Sequence, residues 1–514
     1  MKRKIICIIP AIALIFGWSC TNLDETLYSQ LPADGFFKDE ETLIKNVGRA
    51  YAWLSSDSWD NGYLQHMGVW MNDMVTTDEC IIPYREGNLW WDDGVWIEDH
   101  QHTWDYTHAG IWSTYSFVMD GVTRCNQILY QMEQADVNFE GSEKLTAEVK
   151  MVRAYLYLKG IDWFRNLPLV TDFTDTELPK QVPPQTLFDF IEKEILDNVD
   201  YLDDAPDAEN YGRVTKAAAY TMLAKLYINS EVWTGKAMWQ EASKACDKVM
   251  SFTSLKLEDD YFANFAVHNE NSGENIWVIP LEASITNTFP LHNITLQTLS
   301  QQTFNILNFC WDGACATQWL YESYEDNDLR RDSWLEGPQY DKNGNPLMVD
   351  PGRQLNYTPY VGPIYNPNAP ALLDSGVRMC KWEYEDGLAF QAMSNDFPIY
   401  RLADIYLLKA ECLMRMNDGD ATDEAVKYAN RVRQRAGASD YTVSTLTLDE
   451  LLKERARELC WEGHRRQDQV RFGTYDDVWD ENKTNTDSYR DIYPIPQRAM
   501  TTNPNLVQNP GYTK

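Results

Sequence analysis

The stretch YRLADIYLLKAECLMR, residues 400–415, decides the fold, together with ANRVRQRAG at 429–437 and LLKERARELCWEGHRRQDQVRFG at 451–473. Ile405, Leu408 and Cys412 recur at helical spacing, so one apolar stripe faces a partner. Ala425, Tyr428, Ala429 and Val432 give a second stripe, which stops at Gly437, a residue suited to a helix C-terminus. Thr447 with Glu450 forms a capping box that opens a third helix carrying Leu448, Leu451, Leu452 and Leu459.

Working back toward the N-terminus, Ala219, Met222, Leu223, Leu226 and Tyr227 form another single apolar face, and a further helix is expected over 237–251. Helices are also expected near 40–55, 112–134 and 143–165. Pairs of about 35 residues with small residues in the seam are similar to tetratricopeptide hairpins. The two clear pairs stand far apart in sequence, so the helical scaffold must be assembled from both ends of the chain. Between them, residues 57–108 and 253–395 are dense in Gly, Pro, Asn, Asp and aromatics with little periodicity. Irregular segments of that length are more often functional surface than linker.

The chain opens with Lys2, Arg3 and Lys4, an apolar run from Ile5 to Phe16, and Gly17-Trp18-Ser19 before Cys20. That order predicts a lipoprotein signal over residues 1–19, with Cys20 lipidated as the mature N-terminus. The alternative is an ordinary secretory signal with an incidental cysteine. Several acyl chains, at ~0.8 kcal/mol per buried methylene, would anchor the protein stably. The formal charge is −33, and more negative still without the three basic residues of the signal, which excludes nucleic acid and anionic lipid headgroups as partners. The eight cysteines besides Cys7 and Cys20 show no metal-binding spacing. Cys310 and Cys315 could bridge in an oxidising compartment, while Cys412 and Cys460 read as buried apolar residues.

The three C-terminal stretches resemble the signature of the SusD/RagB family, outer-membrane lipoproteins of Bacteroidetes. Leu23–Phe37 (LDETLYSQLPADGFF), Arg153–Val170 (RAYLYLKGIDWFRNLPLV), Gly212–Ile228 (GRVTKAAAYTMLAKLYI), Tyr493–Gln497 (YPIPQ) and Asn503–Tyr512 (NPNLVQNPGY) follow the family in order. The resemblance implies a mainly α fold: four tetratricopeptide-like helix-turn-helix units as scaffold, with loops and short β-strands carrying the ligand site. It places one such domain over 20–514, helical at about 36–56, 110–252 and 398–473 and loop-rich at about 57–109 and 253–397. It also implies a non-catalytic protein on the outer membrane, facing outward. Such a protein captures oligo- or polysaccharide, or in some members peptide, for a SusC-like TonB-dependent transporter, and needs no cofactor.

The segment 76–112 holds the residue types a glycan site requires. Pyranose C–H faces lie well on indoles, and hydroxyls need carboxylate, amide or guanidinium partners beside them. The pattern TTDE–P–R–WWDDG–W–HxHTW resembles the glycan-binding loops of starch- and fructan-type members, which points to Asp78, Arg85, Trp96 and one of Trp90 or Trp91. The competing reading is that these tryptophans pin the loop to the helices. A second aromatic group, Phe309, Trp311, Trp319, Tyr321 and Tyr324, lies where the family supplies further contacts. Trp311 is favoured there because Asp312 and Gly313 suggest an exposed turn; the alternative is a buried ring beside a Cys310–Cys315 bridge. Arg378 could grip vicinal hydroxyls, or serve in a structural ion pair.

His100, His102 and His108 could mark a metal site, with the HxH pair placed on a strand, but no further ligand spacing completes one. Asp341-x-Asn343-x-Asn345 begins like a calcium loop yet carries Pro346 where Gly is required and Gly352 at position twelve, so a turn at Asn343–Gly344 is expected. Structural calcium remains open. An enzyme, most plausibly a glycoside hydrolase, is the remaining class, but no nucleophile elbow, HExxH or phosphate loop supports it.

Overall fold

The structure, a computed structural model, describes residues 39–56, 58, 62–135 and 141–513. The signal, Cys20 and the Leu23–Phe37 motif lie outside the described residues. Helices dominate: α1 (Glu40–Leu54), α2 (Ala109–Gln134), α3 (Ser142–Phe164), α4 (Pro184–Asn198), α5 (Lys216–Ile228) and α6 (Trp239–Met250) precede the loop-rich part. α7 (Leu402–Arg415), α8 (Asp423–Arg435), α9 (Leu448–Leu459) and α10 (Arg465–Phe472) follow it. Each helix from α1 to α7 packs on the next, including α6 on α7, so the two ends of the chain form one continuous stack.

Local chemistry sets the helix ends. Thr447 Oγ1 accepts from the Glu450 N–H at 3.1 Å, and Thr422 Oγ1 caps α8 in the same way from Ala425. Gly437, at φ 71°, takes the left-handed turn that closes α8. α3 is buried along most of its length, from Leu145 to Phe164, because neighbours cover it on several sides.

Two short strands pinch the base of the loop-rich part. β1 (Asn275–Ile279) pairs antiparallel with β2 (Phe397–Arg401), with Asn275 opposite Arg401 and Ile279 opposite Phe397. An ion network fastens this base to α9. Arg401 bonds Glu462 and Glu458, Arg435 bonds Glu458 and Glu274, and Arg330 bonds Glu454 at 2.7 Å and Glu458 at 2.9 Å. Burial alone would raise the Glu458 pKa, but Arg435, Arg401 and Arg330 hold it down at about 2. Farther out, the Ile81–Cys315 and Arg85–Ala371 bridges join the two loop-rich segments.

The Cys310–Cys315 bridge does not form. Both thiols are free and buried, with the Cys315 backbone drawn to Ile81 and the Cys310 carbonyl accepting from Thr298. Asp341 builds the expected turn: its carboxylate accepts from the N–H groups of Asn343 and Asn345, with Gly344 at φ 83°.

Candidate functional site

A cleft of about 410 Å³ opens where the two loop-rich segments meet, lined by His66, Leu89, Trp90, Asp92, Gln297, Thr298, Phe309, Cys310, Trp311, Asp312 and Leu373. Its walls are strained. Asn88, Trp90, Asp92 and Asp93 on one loop, and Asp312 on the other, all hold positive φ without being glycine. Each such residue costs on the order of 1 kcal/mol, a strain that gathers at binding sites when the surroundings enforce it.

The Trp90 indole and the Trp311 backbone are locked in place. Trp90 Nε1 donates to the Trp311 carbonyl at 2.8 Å. The Trp311 N–H in turn donates to Asn293 O at 2.6 Å. Gly313 is required here, since a Cβ at that position would meet the Trp90 ring at 2.2 Å. His66 sits edge-on to Trp90 at 5.1 Å and to Trp311 at 5.5 Å. Burial lowers the His66 pKa to about 4 against the pull of Asp92, so the imidazole is neutral at physiological pH. Phe309 stands 62% exposed at the rim.

The structure divides the residues expected from sequence. Trp90 and Trp311 are brought together in the cleft. Trp91 points away and joins an exposed aromatic group with Tyr365 at 5.1 Å, itself packed on Tyr84. Trp96 is buried rather than presented; it packs behind Trp90 at 5.9 Å, and its Nε1 donates to Asp92 Oδ2 at 2.7 Å. It orients the wall of the cleft and does not form it.

The two arginines are likewise buried. Arg85 donates to the carbonyls of Leu372, Ser375 and Gly313, tying three points of the second loop segment together. Arg378 donates to Asp312 Oδ1 at 2.7 Å and to the carbonyls of Leu373, Ser375 and Gly376. Burial pulls its pKa down, but Asp312 more than offsets this, and the shift is upward. Both arginines brace the Trp311–Gly313 turn instead of reaching a ligand. Asp312 lines the cleft, and its Oδ2 is buried without a hydrogen-bond partner. Asp78 lies elsewhere, its carboxylate taken up by Arg465 at 2.6 and 2.7 Å.

The histidines are structural. His100 and His102 fall at the end of a short helix, Val95–Gln101, and not on a strand. His100 bonds Asp480 and His102 bonds the Thr76 carbonyl. No group of His, Cys, Asp and Glu among the described residues could hold a metal ion. His66, Gln297, Thr298 and Leu373 were not anticipated. None sits in a motif, and only the tertiary fold brings them to the tryptophans.

A helical stack that carries an aromatic cleft on its loops is the build of a family that comparison identifies. The family described as "SusD family" matches residues 274–512, and that described as "Starch-binding associating with outer membrane" matches residues 23–228. The chain belongs to the SusD/RagB family. It is 27% identical over 485 residues to the starch-binding protein SusD of Bacteroides thetaiotaomicron, covering 85% of this chain and 84% of that one. It is 26% identical to SusD-like protein P25 of Formosa agariphila, across 99% of this chain and 100% of the other. Among solved structures, surface glycan-binding protein A of Bacteroides thetaiotaomicron in complex with laminarihexaose superposes with a TM-score of 0.73 at 21% identity, covering 91% of this chain and 99% of that one. That likeness shows the shared, mainly helical fold.

Proposed function

We propose that this protein captures glycan without altering it, at the cleft formed by Trp90, Trp311 and Phe309, and passes it to a SusC-like TonB-dependent transporter. Lipid on Cys20 holds it at the outer membrane, facing outward. The observation that carries the reading is the aromatic lining of the cleft, Trp90, Trp311 and exposed Phe309, with the Asp92 and Asp312 carboxylates beside it. Flat apolar faces for sugar rings and a fixed acceptor for hydroxyls are what pyranose recognition requires. The starch-binding and laminarihexaose-bound relatives support the same ligand class. A hydrolase needs two carboxyl groups free for proton transfer and attack. Asp312 is instead tied to Arg378 and Asp92 to the Trp96 indole, which favours binding over catalysis. Exposed Leu307, whose N–H donates to the Leu388 carbonyl, offers apolar surface for a transporter.

Electrophoresis of the mature chain through native gels containing starch, laminarin, fructan, xylan, mannan or host glycans tests this directly. Retardation by one class without release of reducing ends is the expected result. Release of reducing ends would make the protein an enzyme, and absence of retardation in every gel would turn the reading toward peptide.

A further inference from the structure

A second cleft, of about 370 Å³, opens beside Ile81 and shares no lining residue with the first. Three aromatic rings line it: Trp319, Tyr360 and Trp479. The Arg465 guanidinium lies over the Trp319 ring at 5.3 Å, and the Lys483 ammonium over the Trp479 ring at 4.6 Å. Both cations belong to buried residues, so each indole is backed by the protein's own charge while its ring borders the cavity. Tyr360 is 56% exposed, and its hydroxyl is engaged by Glu481.

The polar groups are equally ordered. Asp480 is held by His100 at 2.9 Å and by the Asn482 N–H at 2.7 Å. Glu322 accepts from Gln318 at 2.7 Å. The indole N–H of Trp479 is shielded from water and has no hydrogen-bond partner. No Lys or Arg lines the cavity, whereas Glu322, Asp480 and Glu481 do.

We infer that this cleft is a second subsite for neutral glycan, resting on the reading of the protein as a glycan-capture protein. Rings that border the cavity suit pyranose faces, the carboxylates accept from hydroxyls, and the acidic wall repels uronates and sulfated sugars. Two subsites on one chain raise retention of a polymer above that of either alone.

Hydrogen exchange read by mass spectrometry on the mature chain, with laminarihexaose and with maltohexaose as probes, tests the inference. The expected result is slowed exchange in peptides spanning 309–312 and, separately, in those spanning 479–482. Tyr360→Ala should lose the second protection, keep the first, and weaken retardation by the matching polymer severalfold. Glu322→Gln, a change at an exposed residue, should weaken the second protection alone. Trp311→Ala should reverse the pattern. Protection confined to 309–312 in the wild type would overturn the second subsite and leave the first standing. Protection of 479–482 by tetralysine and by neither sugar would assign the cleft to cationic peptide and overturn the inference. Silence of both clefts to both sugars would overturn the glycan reading along with it.

Discussion

Gly313 shows how narrowly the first cleft is specified. Its missing side chain is the space into which Trp90 fits, and a methyl group there would meet the ring at 2.2 Å. Gly313→Ala is therefore expected to displace Trp90, cost about 1–3 kcal/mol of stability, and weaken glycan retardation at least as much as it lowers the melting temperature. Calorimetric melting and native gels on the same preparation separate the two effects. Glu79 makes a different case. Burial raises its pKa to about 8, against the opposing influence of the Trp461 N–H and Arg465. Between about 4.5 and 8 the folded protein keeps a proton that the unfolded chain has released, so this group's contribution is complete below that window and is lost as pH rises through it. Glu79→Gln should flatten that decline, and melting temperatures measured from pH 5 to 8 should diverge in the variant's favour as pH rises. Residue types alone do not reveal such burial. Trp90 and Trp311 carried the right chemistry in the sequence, but so did Trp96, Arg85 and Arg378, which the fold places behind the wall. Asp78 finds Arg465 across 387 positions, a pairing that no local pattern announces.

α9 is the element on which the site depends most, although none of its residues touches the cleft. Its inner face carries Glu454 and Glu458, which hold Arg330 from the loop-rich part, and Glu458 also holds Arg401 at the end of β2. Replacing one member of a buried ion network leaves its partners unpaired, at about 3–5 kcal/mol. Glu458→Ala is expected to lose stability on that scale, seen as a lower denaturant midpoint, and to loosen the loop-rich part before the helical stack, seen as faster hydrogen exchange near Arg330. Equal loosening throughout would contradict this role. The helix itself was legible: Thr447 and Glu450 marked its start, and the leucines its buried face. Segments such as α6, α8 and α9 declare themselves because one apolar stripe must face a partner, whereas α5, expected to show a single apolar face, is buried on nearly every side. α4 also carries such a stripe in Leu187, Phe188, Ile191 and Ile195, whereas the short helices around the cleft are too brief to show one.

At the scale of the whole molecule, the stack is closed by contacts between distant parts of the chain. α6 packs on α7, and β1 pairs with β2, so everything between them is a long excursion from a shared base. That both ends build one scaffold could be read from the spacing of the helical patterns; how the excursion folds back on residues 81–94 could not. A protease site inserted at the exposed Asn343–Gly344 turn should therefore yield two fragments that remain together on size-exclusion chromatography after cleavage. Separation of the fragments would show that the base does not hold the halves. Glycan capture requires that the aromatic cleft be the binding site. Isothermal titration of the mature chain with an oligosaccharide of the class that retards it, beside Trp311→Ala at unchanged melting temperature, tests that claim most directly. The expected result is binding by the wild type that weakens at least tenfold in the variant, about 1.4 kcal/mol. Equal affinity in the two proteins would place the ligand elsewhere and contradict the account.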